Sequence, residues 1–225
     1  RVLFRSFYVL SLLLSAVLLG LLLVLGLGEL FFIATFGPGL AGLIAARLID
    51  GKEGLRDLLR RIVRWRVGVR WWVMALLLPA VLALGSVLVA SLFGAPPLEW
   101  SNLGPIYMVI ASIAMLTLLN GITEETGWRG YALPRLQEKH SALASSLVLG
   151  LLWGLWHTPI FFLPETIQGV LGAQIGLVPG VALFTFLSMC SSVLYTWIFN
   201  HTKGSVWIPG LFHRAVNAWL GYRIL

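Results

Sequence analysis

Charge is what this sequence has least of. Only 11% of its 225 residues are Asp, Glu, Lys or Arg, against roughly 25% in a soluble globular domain. That shortage excludes an ordinary water-exposed surface. A lone cysteine, Cys190, excludes an intrachain disulfide and is expected to be a small buried packing side chain. No polar linker long enough to separate domains interrupts the chain, and no low-complexity tract or internal repeat is evident. The pattern His-Glu-x-x-His is absent, which excludes the common soluble zinc-protease arrangement. No serine sits in a recognisable nucleophile setting, and Cys190 has no base near it in sequence.

What is there is hydrocarbon. The chain is 59% hydrophobic with a mean hydropathy of +0.91. Its apolar stretches have the length, about 20 residues, that crosses a bilayer. The expected fold is all-α: a polytopic transmembrane helical bundle, with residues 1–225 as a single transmembrane domain. About seven spans are expected on that length criterion, near residues 7–27, 30–49, 71–93, 104–124, 142–163, 177–199 and 205–222. The first is too long for the apolar region of a signal peptide and is expected to be a retained span. The short Gly26–Glu29 link makes the first two a tight pair, and Pro38, flanked by Gly37 and Gly39, is expected to kink the second.

The net charge is +7. In a soluble protein that would suggest nucleic acid. Here the basic residues concentrate in residues 47–70, with Arg1 and Arg5 before the first span, Arg129, Arg135 and Lys139 after the fourth, and Lys203 after the sixth. The intervening loops, around Gly28 and at 94–103 and 164–176, hold no Lys or Arg. This alternation implies an integral, multi-pass membrane protein with a cytoplasmic N-terminus, the bilayer as its partner and no nucleic acid. Within 54–66, Leu55, Leu58, Leu59, Ile62 and Val63 recur at helical spacing among arginines, the pattern of an interfacial helix.

Ionisable groups inside apolar spans are the informative residues, because they face a cavity or one another. Thr117, Asn120 and Glu124 recur at i, i+3, i+7 and share one helical face. Glu125 and Arg129 have the i, i+4 spacing of an ion pair. Arg214 is a second candidate partner for Glu125. His157 falls well inside the fifth span, with Trp153 one turn before it and Gly150 and Gly154 on the same face, where a neighbouring backbone can come close. Pro159 follows and frees a backbone carbonyl near the histidine. His213 and Asn217, also i, i+4, stack on one face of the last span.

Any one of these reads as a packing clamp. Together, a carboxylate, two imidazoles and a carboxamide have the parts needed to hydrolyse an amide. Glu124 can act as a general base on water, the histidines can bind a divalent metal or donate hydrogen bonds, and Asn217 can donate to an oxyanion. The metal-ligand candidates are His157, His213 and Glu124, for a divalent ion such as zinc, and these residues leave the use of a metal open.

Glu124-Glu125-x-x-x-Arg129-Gly130, Trp153-x-x-x-His157 and His213-x-x-x-Asn217 resemble the three motifs of the CAAX-protease and bacteriocin-processing (Abi) family, which includes type II CAAX prenyl endopeptidases. Each motif is short. Their order and their placement on three helices make the set specific, and roughly residues 104–222 carry it.

The resemblance implies an intramembrane endopeptidase acting on a peptide or protein substrate, membrane-associated and in one branch lipidated. Glu124 would activate water with help from His157. His213 and Asn217 would form the oxyanion hole, and Glu125 and Arg129 would support the site. Metal-dependent and metal-free mechanisms are both described for the family. Trp153 departs from the usual Phe, which is expected to alter cavity shape more than chemistry.

The alternatives are a non-catalytic membrane immunity or scaffold protein whose polar cluster is structural, and a proton-coupled transporter. The chain lacks the paired broken helices of many transporters.

One geometric tension remains at this level. His157 lies roughly 22 Å along the fifth span, whereas Glu124 ends the fourth at its cytoplasmic side. Their meeting requires a deeper fourth helix, or residues 126–139 folded back at the interface, around a cavity open to the cytoplasm.

Overall fold

The computed structural model describes residues 2–94 and 106–224. The expected loop at 94–103, the first residues of the 104–124 span and Arg1 fall wholly or largely outside them. The described chain is a helical bundle. Helices α1 (Val2–Val24), α2 (Gly37–Ile49), α3 (Gly51–Ile62) and α4 (Val69–Leu92) form its first half. The second half holds α5 (Ile106–Leu116), the short α6 (Ile122–Glu125) and α7 (Leu133–Gln137), then α8 (Ala142–Trp156), α9 (Ile167–Ile175), α10 (Leu177–His201) and α11 (Trp207–Ile224).

Among the described residues, five segments are long and apolar enough to cross a bilayer: Arg5–Val24, Gly28–Ile49, Val69–Leu92, Ala142–Phe162 and Leu177–His201. They match five of the seven expected spans. The other two are the helices that carry the glutamates and His213: π turns divide the first into shorter helices, and polar residues dilute the hydropathy of the second. The second span does break where Pro38 stands: a 3-10 segment, Gly28–Phe36, hands over to α2 with the proline in its first turn, where the missing N–H costs no bond.

The expected fourth span needs correction. It does not stop at residue 124. Helical backbone runs without a break from Ile106 to Gln137, with π-helical turns at Thr117–Gly121 and Thr126–Ala132 on either side of α6. Inserted π turns are frequent at functional sites. Residues 126–133 are all buried, so this stretch is bundle interior. Arg129, expected to mark a cytoplasmic loop, is completely buried, whereas Cys190, expected to be buried, is exposed on α10. Glu124 therefore lies about 20 Å from the helix end at Gln137, at 1.5 Å per residue. That matches the depth of His157 along α8 and removes the tension.

Small residues bring the site-bearing helices together. A side chain at Gly121 would strike the carbonyl of Gly210, so α11 lies backbone to backbone against the π turn before the glutamates. On α8, a Cβ at Gly150 would meet Met189 Cα at 2.5 Å, and one at Gly154 would meet Thr185 Cα at 2.6 Å. The close neighbour expected from the Gly-x-x-x-Gly spacing is α10.

Candidate active site

Glu124 and Glu125 are both buried, and they have different partners. Glu125 Oε1 accepts from Arg129 Nη1 at 3.0 Å and from His213 Nδ1 at 3.0 Å. Arg129 also donates from Nη2 to Ser192 Oγ at 3.2 Å, and its guanidinium lies 4.7 Å from the Trp153 ring and 4.4 Å from the Tyr195 ring. Arg129, not Arg214, pairs with Glu125.

Glu124 Oε2 accepts from the indole Nε1–H of Trp153 at 3.2 Å. The two histidine rings pack edge-on to the same indole, His157 at 5.6 Å and His213 at 5.3 Å between centroids. Trp153 is thus the hub on which Glu124, His157 and His213 converge. Asn217 is half-buried one turn beyond His213 on α11, with no hydrogen-bond partner among the described residues.

Local backbone geometry fixes the tautomer of His157. The residue lies inside the Ala142–Phe162 span, as expected, at the point where α8 ends and a 3-10 turn, Thr158–Phe162, follows. Its backbone N–H turns to Gly154 O at 3.1 Å, which leaves the Trp153 carbonyl without its usual i+4 donor. The His157 imidazole takes that carbonyl through Nδ1 at 2.7 Å. A carbonyl can only accept, so Nδ1 carries the hydrogen and Nε2 of the neutral ring presents a lone pair. Pro159 has no N–H for the Leu155 carbonyl, and the Thr158 hydroxyl caps it at 2.7 Å. Phe184, 5.0 Å away, and Trp156, 4.7 Å away, hold the imidazole in place.

The expected single polar face of Thr117, Asn120 and Glu124 does not act as one strip. The intervening π turn changes the register. Thr117 bonds back to Ile113 O, Asn120 reaches Phe32 O at 2.9 Å and Thr35 Oγ1 at 2.6 Å, and Glu124 alone meets α8.

The sequence pattern of Rce1-like type II CAAX prenyl endopeptidases matches residues 105–219, just over half of the chain. The chain belongs to this family. "CAAX prenyl protease 2" of Methanococcus maripaludis is 30% identical over 147 residues, which cover 64% of this chain and 53% of that protein. The chain therefore spans about half the length of that relative. Membership of the Rce1-like family, with the apolar helices, makes this an integral membrane protein.

Among Rce1-like residues the sequence pointed to, Glu124, Glu125, Arg129, His157 and His213 converge, and Asn217 adjoins them. Trp153 was expected to change shape more than chemistry. Its N–H bond to Glu124 is chemistry that a phenyl ring cannot supply. Two further residues went unnoticed, Ser192 and Tyr195 of α10, both in contact with Arg129. Their i, i+3 spacing inside an apolar span was the available signal. Among the described residues, no group of three or more His, Cys, Asp or Glu side chains is placed to hold a metal ion. Glu124, His157 and His213 as they stand do not make a metal cage, so no step below runs through one.

Proposed function

We propose that this chain is a membrane-embedded endopeptidase that hydrolyses peptide bonds with water activated by Glu124. The observation that carries the proposal is the buried Glu124 held by the Trp153 N–H, with both histidine rings against the same indole. With Oε2 engaged, Oε1 is the oxygen to take the water proton. The Nε2 lone pair of His157 accepts the second water hydrogen and orients the nucleophile.

Water oxygen adds to the carbonyl carbon as its proton passes to Glu124. Charge develops on the carbonyl oxygen, where His213 and Asn217 donate. Donation from His213 Nε2 requires the imidazolium, because Nδ1 already faces Glu125, and Glu125 supplies its counter-charge. When the carbon–nitrogen bond breaks, Glu124 returns its proton to the leaving amine.

The substrate is a peptide or protein presented at the membrane. The name of the archaeal relative points to a prenylated C-terminal CAAX segment. The N-terminus faces the cytoplasm, and the site opens to that side, as the basic segment 47–70 supports. The test is cleavage of a panel of prenylated and unmodified peptides by protein reconstituted in liposomes, comparing wild type with Glu124→Gln and His157→Ala. Both variants should fold and lose activity. Full activity in both would overturn the mechanism.

The fully buried Glu125–Arg129–His213 network also suits a non-catalytic scaffold. On that reading these substitutions impair assembly and no cleavage product appears.

A further inference from the structure

A cavity of about 630 Å³ opens well away from the glutamates, between α3, the α7–α8 turn and the end of α10. Its titratable lining is Asp57, Arg61, Arg64, His140 and Lys203, with Asn200 beside them. Three permanent cations from two distant parts of the chain meet here, against one carboxylate.

The convergence is built, not incidental. Arg64 Nη1 donates to Lys203 O at 2.6 Å, Ser205 Oγ donates to Arg64 O at 2.5 Å, and Val206 N donates to Arg61 O at 3.1 Å. These bonds staple the α10–α11 loop to the end of α3. Lys203 takes a left-handed φ of 56°, unusual for a residue with a side chain. Asp57 engages Arg61 Nε at 2.8 Å. The Lys203 ammonium has no partner among the described residues, and Arg64 keeps further N–H donors. Together these cations leave the space net positive and suited to an anion.

The helix beside the cavity identifies the anion. The α3 helix buries Leu58 against the bundle and exposes Leu59, and Val63 and Trp65 just beyond it are exposed too. Such a helix, apolar and arginine-rich, lies at the headgroup level of a membrane. We infer that the cavity formed by Arg61, Arg64 and Lys203 binds the phosphate headgroup of an anionic membrane lipid. Basic pockets between membrane helices on the cytoplasmic side suit such headgroups.

Native mass spectrometry of delipidated protein in detergent tests this. Phosphatidylglycerol, phosphatidylcholine and glycerol 3-phosphate are titrated separately. One phosphatidylglycerol should bind at least about fivefold more tightly than phosphatidylcholine. Lys203→Gln should weaken it by about fivefold, the worth of one cation near a membrane surface, and Lys203→Arg should restore it. Asp57→Asn should tighten binding, which a merely structural loop would not do. Melting temperatures confirm that each variant is folded.

Equal binding of the two lipids would overturn the inference, as would indifference to both Lys203→Gln and Asp57→Asn. Glycerol 3-phosphate binding as tightly as the lipid would assign the cavity to a soluble phosphate. Displacement of the lipid by a peptide with a free C-terminal carboxylate, but not by its amide, would assign it to substrate.

Discussion

The indole N–H of Trp153 donates to Oε2 of Glu124 across 3.2 Å, joining α8 to the helix that bears both glutamates. A hydrogen bond to a charged group is worth about 1.5–3 kcal/mol. On the proposed mechanism it also selects which carboxylate oxygen takes the water proton. Trp153→Phe keeps an aromatic ring and deletes the donor. Turnover should fall roughly tenfold, which corresponds to about 1.4 kcal/mol of barrier, with a smaller change in KM. Steady-state cleavage kinetics measure the split. An unchanged kcat would remove Trp153 from any role beyond packing.

The Glu125–Arg129 pair is fully buried, with His213 on the same carboxylate oxygen. Arg129→Met leaves a buried carboxylate without its main counter-charge. Breaking such a pair costs about 3–5 kcal/mol. The variant should therefore unfold at distinctly lower denaturant in detergent. The double variant Glu125→Gln/Arg129→Met should recover part of the loss, and a double-mutant cycle quantifies the coupling. If the two single losses simply add, the pair is not coupled as drawn.

Gly121 faces the Gly210 carbonyl, whereas nothing lies within 4 Å of a Cβ at Gly20. Gly121→Val should push α11 away from the glutamates, lowering both melting temperature and activity. Gly20→Val should be neutral in both. Paired thermal melts and cleavage assays distinguish the local clash from a general intolerance of bulk in the membrane.

The geometry around Trp153 is expected to work without a metal ion. Purified protein should carry no stoichiometric zinc, and a chelator should leave turnover unchanged. Elemental analysis beside a chelator-treated assay checks this. Reversible loss of activity, restored by one equivalent of zinc, would favour the metal route.

Much of the candidate site was legible because intramembrane charge is rare and costly. Glu124, Glu125, Arg129, His157, His213 and Asn217 stood out against hydrocarbon, and i, i+4 spacing paired two of them correctly. The role of Trp153 was not legible. A tryptophan in an apolar helix looks like bulk until its N–H is seen to point at a carboxylate. Ser192 and Tyr195 were passed over for a similar reason, since their target, Arg129, lies far away in sequence.

The sequence by itself determined that this chain is a helical membrane bundle and which polar residues its interior must accommodate, because bilayer thickness and the cost of charge in lipid leave few alternatives. Only the tertiary structure decided depth and partnership. The fourth helix passes residue 124 and carries Arg129 into the interior, since π turns and buried ion pairs satisfy polar groups that hydropathy alone would send to water. Arg129 rather than Arg214 holds Glu125, and Glu124 meets Trp153, because close helix packing at Gly121, Gly150 and Gly154 sets which side chains come within bonding distance.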